Sequence, residues 1–146
     1  MKRVEAAADC FEKGFNCAQA ILSTYGTELG IEREHALRVA GPFGGGMGRM
    51  GNTCGAVTGA YMVIGLKHGA ARAEDRESKE RAYALTREFA EKFRARHGSI
   101  ICRELLGCDI GTPEGYRQAR DEKLFTTRCP KFVRDAAEIV EELIAR

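Results

Sequence analysis

Residues 54–68, from Cys54-Gly55-Ala56-Val57 through Ile64-Gly65-Leu66 to His68, are apolar or small on nearly every helical face. A helix with no polar side must be enclosed by other elements, so this stretch marks the centre of the core. The rest of the chain reads as helices punctuated by glycine. Residues 3–13 form a first helical stretch, stopped near Gly14. A second starts at Asn16 and carries Cys17, Ala20, Ile21 and Tyr25 at helical spacing. A short third, Glu32 to Ala40, ends before Gly41-Pro42, and the central helix stops at Gly69. Residues 72–81 are almost all charged and read as a solvated face. Ala82, Leu85, Phe89 and Phe93 then draw a stripe along an amphipathic helix ending at Gly98. Short helices are expected over 100–106 and, from Thr112-Pro113, over 113–122. The last helix, 130–145, buries Phe132, Val133, Ala136, Val140, Leu143 and Ile144. No stretch alternates as a strand, and there is no internal repeat. The expectation is one all-α domain over residues 1–146, a compact bundle of about five main helices with short ones around them.

A chain of 146 residues buries a sizeable core without staples. Its net charge of +2, with no basic stripe interleaved with aromatics, argues against nucleic acid and acidic membrane surfaces. The N-terminal Met1-Lys2-Arg3-Val4-Glu5 leads into no apolar segment of the secretory kind. The longest uncharged run, Met50 to Leu66, is short for a membrane span and contains Asn52, Thr53, Thr58 and four glycines. The sequence therefore predicts a cytoplasmic protein with no membrane insertion. In a reducing compartment six cysteines mean metal binding or catalysis more often than structural disulfides.

Four of those cysteines sit where helices should begin. Cys17 follows Asn16, Cys54 follows Thr53, Cys102 comes three residues after Ser99, and Cys129 precedes Pro130. Asn, Thr and Ser are favoured caps, and Pro is favoured in the first turn. A helix start offers unpaired N–H groups and the positive end of the macrodipole, which favours thiolate. The spacing contains no CxxC pair and no CxxCH haem motif. Dispersed thiolates can still converge in a bundle core, where four of them suit an iron–sulfur cluster or a closed zinc site. Cys10, inside the first helix, and Cys108, after Gly107, stand apart as small hydrophobes or accessory thiols.

Ahead of the central helix runs Gly44-Gly45-Gly46-Met47-Gly48-Arg49-Met50-Gly51. It contains GxGxxG, but no strand precedes it and no GK[ST] is present, so nucleotide binding is disfavoured. The expected role of Gly45, Gly46 and Gly48 is close backbone approach to a group beside Cys54, with Arg49 balancing its charge. Gly55 and Gly59 leave a small-residue groove on the central helix for another helix or a cofactor. His68 and His97 read as helix-end residues complementing the dipole, and His35 as a surface residue. No paired His or carboxylate constellation supports hydrolysis.

Gly14-Phe15-Asn16-Cys17-Ala18-Gln19-Ala20, Gly45-Gly46-Met47-Gly48-Arg49, Cys54-Gly55-Ala56-Val57-Thr58-Gly59, Cys102-Arg103-Glu104-Leu105-Leu106-Gly107 and Cys129 together resemble the C_GCAxxG_C_C family. Its members are redox-active proteins with a CGAxxG motif and four characteristic cysteines, here Cys17, Cys54, Cys102 and Cys129. The family is also similar to the cluster-binding part of split-Soret cytochromes c. That likeness implies a [2Fe–2S]-type cluster and a homodimer, without the haem. The resulting expectation is an iron–sulfur protein passing single electrons to a redox partner protein. Two alternatives stand beside it: a cluster-free thiol–disulfide oxidoreductase in which Cys54 attacks and another cysteine resolves, and a structural zinc domain.

Overall fold

The computed structural model describes residues 2–146, Lys2 through its backbone alone. In chain order the helices are α1 (Lys2–Glu12), α2 (Cys17–Glu28), α3 (Arg33–Ala40), α4 (Gly55–His68), α5 (Arg76–His97), α6 (Cys102–Leu106), α7 (Pro113–Asp121), α8 (Leu124–Thr127) and α9 (Cys129–Ile144). A 3-10 turn, Gly41–Phe43, follows α3. Among the described residues there is no strand, only an isolated antiparallel bridge between Thr53 and Ile101. The protein is all-α.

Local chemistry sets several boundaries. Asn16 Oδ1 accepts from the Gln19 N–H at 2.9 Å, and Gln19 Oε1 accepts from the Asn16 N–H at 2.9 Å, a complete capping box for α2. Asp75 accepts from Ser78 N–H to start α5, and Thr112 accepts from Gly115 N–H to start α7 ahead of Pro113. Each such cap contributes about 0.5–2 kcal/mol. Gly98, at φ +84°, ends α5 in the left-handed conformation.

The central helix is α4. Val57, Ala60, Val63 and Ile64 are fully buried in it, and each Val or Ile contributes roughly 1.5–3 kcal/mol of apolar burial. α2 forms its most extensive neighbour, with α9 and α5 covering the other sides; α1 lies on α2 and α9, and α3 on α2. A Cβ on Gly59 would stand 3.0 Å from the Ala18 carbonyl oxygen and 3.1 Å from Ile21 Cβ. The small-residue groove thus lets α2 lie against α4 at backbone distance. The predicted stripe holds, with Leu85, Phe89 and Phe93 buried, as do the six apolar positions predicted for α9. Residues 72–81 are exposed, with only Asp75 and Ser78 half-buried. No helix among the described residues is long and apolar enough to cross a membrane.

Of the histidines, His35 is exposed as expected. His68 is half-buried, and burial holds its imidazole below the usual range. His97 differs from the expectation. It ends α5, but its ring turns inward, with centroids 4.7 Å from Phe93 and 4.9 Å from Phe132. Its Nε2 lies 2.8 Å from Oδ2 of Asp135, a carboxylate only 5% exposed that also stands 3.2 Å from Arg96 and 3.3 Å from Lys131.

Candidate functional site

Four helix starts meet at one cavity. Cys17, Cys102 and Cys129 are the first residues of α2, α6 and α9, and Cys54 is the residue immediately before α4. All four line a cavity of about 510 Å³, together with Gly45, Gly46, Gly48, Arg49 and Gly55. Two of the expected caps are not caps. Thr53 pairs with Ile101 in the bridge, leaving Cys54 at the cap position of α4 without a side-chain hydrogen bond. Ser99 accepts from the Ile101 N–H at 2.9 Å and stands outside α6, whose cap position is Ile101. The reason is backbone pairing: Cys54 N–H donates to Ile100 O at 2.8 Å, and Cys102 N–H donates to Asn52 O at 2.6 Å. These bonds set Cys54 opposite Ile100 and Cys102 opposite Asn52 on the two sides of the bridge.

The glycine loop is ordered by an unusual backbone. Gly45, Gly46, Met47, Gly48 and Arg49 have successive φ values of +66°, +68°, +67°, +60° and +64°. For Met47 and Arg49 this left-handed conformation costs about 1–2 kcal/mol each. Hydrogen bonds hold it: Gly48 N–H to Pro42 O at 2.7 Å, Gly51 N–H to Gly45 O at 3.2 Å, and Asn52 N–H to Gly46 O at 2.9 Å. The loop then packs where side chains would not fit. A Cβ on Gly46 would lie 2.6 Å from Asn52 N and 2.7 Å from Cys102 Cβ; one on Gly55 would lie 2.7 Å from Cys17 Sγ. Arg49 is not an isolated charge, since its guanidinium carbon sits 4.8 Å above the centre of the Tyr116 ring.

The thiols are electrostatically distinct. The neighbouring Cys54 thiol, and the backbone N–H groups of Ala56, Cys17 and Ala18, favour the charged form of Cys17. Against the opposing effect of burial they bring Cys17 from 9.0 down to about 7. The same pairing with Cys17, together with burial and the Cys17 charge, pushes Cys54 well above its ordinary value. Cys102 and Cys129 are each pushed up to about 12, first by burial and then by Cys17. Of the four thiols, Cys17 is thus the one shifted toward the thiolate and the other three are shifted away from it.

The remaining cysteines lie elsewhere. Cys10 is buried with its sulfur 3.6 Å from Ser23 Oγ and lines a separate polar groove; Cys108 does not line the thiol cavity. The sequence reading missed the aromatic lining of Phe11, Tyr116, Phe125 and Phe132. Those four come from four separate segments, and no local pattern joins them. Among the described residues no group of three or more His, Cys, Asp or Glu side chains is gathered to hold a metal ion. The four sulfurs surround a space rather than closing on a point.

No curated protein and no solved structure matches the chain. A family model described as "Putative redox-active protein (C_GCAxxG_C_C)" matches residues 15–143, taking in the glycine loop and all four cavity cysteines. On that match the chain belongs to the redox-active C_GCAxxG_C_C family.

Proposed function

We propose that Cys17, Cys54, Cys102 and Cys129 hold an iron–sulfur cluster, of the [2Fe–2S] type that the resemblance implies, and that the protein passes single electrons to a redox partner. The observation that carries this reading is convergence: four thiols from four separated segments, each at a helix start, line one cavity. The donor set is all sulfur, the choice of iron–sulfur clusters. A single zinc ion needs its four sulfurs at about 2.3 Å around one point, a poorer match to thiols spread around about 510 Å³. Gly46 and Gly55 give the closest approach, since a Cβ at either would intrude on Cys102 or Cys17. When bound, the cluster supplies a one-electron couple whose potential depends on nearby charge and N–H donors. The chain supplies such groups: the backbone N–H groups of Ala18 and Ala56 favour a charged Cys17 sulfur, and Arg49 lines the cavity.

A second reading rests on Cys17 and Cys54, which line the same cavity and are shifted in opposite directions by one another. A thiolate beside a protonated thiol is the arrangement of a dithiol that attacks a partner's disulfide and is resolved by its neighbour. Purification without air separates the two. The cluster reading predicts brown protein with iron and inorganic sulfide in equal amounts, lost on changing any of Cys17, Cys54, Cys102 or Cys129 to Ala. Cys10→Ala and Cys108→Ala should retain the iron. Colourless, iron-free protein whose Cys17 and Cys54 oxidise together to a disulfide would establish the dithiol instead.

A further inference from the structure

The cavity holds more than thiols. About 510 Å³ lies within the range of roughly 300–1,000 Å³ typical of sites for small organic molecules. Tyr116 and Phe125 form a ring pair with centroids 5.6 Å apart, and Phe132 adds a further apolar wall. The cation of this lining is Arg49, exposed on the loop and stacked over Tyr116 at 4.8 Å. The ring contact leaves the guanidinium N–H groups without a hydrogen-bond partner among the described residues, and a planar, two-oxygen acceptor matches them. Among the described residues no carboxylate forms an ion pair with Arg49. Its backbone is also held at φ +64°, in a loop whose neighbours are mostly glycine. Strained non-glycine residues of this kind persist where the surroundings hold them, and they cluster at ligand sites.

We propose that the side of the cavity lined by Arg49, Tyr116, Phe125 and Phe132 is a binding subsite for a small planar aromatic carboxylate. Arg49 pairs with the carboxylate, Phe125 and Phe132 receive the ring, and Tyr116 is a positioning residue that fixes the guanidinium. The subsite stands whichever chemistry the thiols perform. It places an organic substrate or electron partner beside them rather than leaving the site to electron transfer between proteins alone.

The test uses the full chain purified without air, with iron content recorded for each sample. 2-Naphthoate and the neutral 2-naphthalenemethanol are titrated by calorimetry. Wild type should bind naphthoate about tenfold more tightly than the alcohol, as a charge-assisted pair to Arg49 requires. Arg49→Met should erase that preference while leaving affinity for the alcohol unchanged. Tyr116→Phe should keep the preference and Tyr116→Leu should reduce it, because the ring face and not the hydroxyl holds the guanidinium. Phe125→Ala should weaken both probes. Equal binding of the two probes, no binding of either, or a preference that survives Arg49→Met would overturn the proposal. An iron-free sample with the preference intact would support the subsite while refuting the cluster; an iron-loaded sample without it would do the reverse.

Discussion

Gly46 and Gly48 share a left-handed backbone but not their surroundings, and the pair separates two reasons for needing glycine. At Gly46, φ is +68° and an added Cβ meets Asn52 N at 2.6 Å and Cys102 Cβ at 2.7 Å. At Gly48, φ is +60° and the nearest atom, Pro42 O, is 4.0 Å away. Gly48→Ala therefore incurs only the handedness term, about 1–2 kcal/mol. Gly46→Ala adds a clash with main chain and with a Cβ, neither of which can swing aside, for about 1–3 kcal/mol more. Urea denaturation of the reduced, metal-free proteins should show Gly46→Ala losing about 2–5 kcal/mol. In a chain of this size each kcal/mol lowers Tm by about 2–4 °C, so thermal melts should rank the variants the same way. Gly46→Ala should also retain less iron than Gly48→Ala, because the displaced atom belongs to the Cys102 side chain. Equal losses at the two positions would refute the reasoning and reduce the close approach at Cys102 to a matter of loop handedness.

Gly55→Ala, in a helical conformation, tests sterics alone: a Cβ 2.7 Å from Cys17 Sγ should lower stability by about 1–3 kcal/mol and alter the Cys17 alkylation rate in metal-free protein. The stability of the reduced, metal-free chain should rise between pH 7 and pH 9, because Cys17, lowered from 9.0 to about 7, stabilises fully above its unfolded value and loses that contribution as pH falls through its folded one. Above pH 9 stability should turn down, since Cys102 and Cys129, raised to about 12, stay protonated in the fold while the unfolded thiols ionise; Cys17→Ser should remove the rise and keep the downturn in calorimetric Tm. Asp135→Asn leaves three cationic or ionisable partners facing a neutral amide at a 5% exposed site and should cost about 2–4 kcal/mol in denaturant titration, Arg96 and Lys131 limiting the loss by reaching water.

Helix identity was legible wherever a local device sets it. Asn16 with Gln19 announces α2, Thr112-Pro113 announces α7, and the all-round apolar stretch ending at Gly69 announces the core helix. The four cysteines that line the cavity stand at helix starts as the sequence suggests, although only at Asn16 does the expected side-chain cap form. What was not legible depends on partners far along the chain. Thr53 has every local mark of a cap, yet Ile101 takes it into a bridge and moves the cap position to Cys54. His97 looks like a dipole partner until Asp135 and Phe132 of α9 turn it inward. Met47 and Arg49 give no hint of positive φ, because L-residues adopt it only when surrounding contacts impose it. α8 begins at a left-handed Lys123, which no propensity favours.

The cavity draws its sulfurs from residue 17 to residue 129 of one chain. During synthesis α2 and α4 can dock while the later helices are still unmade, and Cys17 and Cys54 then lie together with no third or fourth thiol available. The Asn52–Cys102 bond needs residue 102, and α9, which supplies Cys129, also closes the bundle over α1 and α4. Completing the site and completing the fold are thus the same late event. A nascent or truncated chain lacking α9 has no fourth thiol at the cavity and an open α4 face, so whatever binds there can act as a checkpoint that the whole chain has been made.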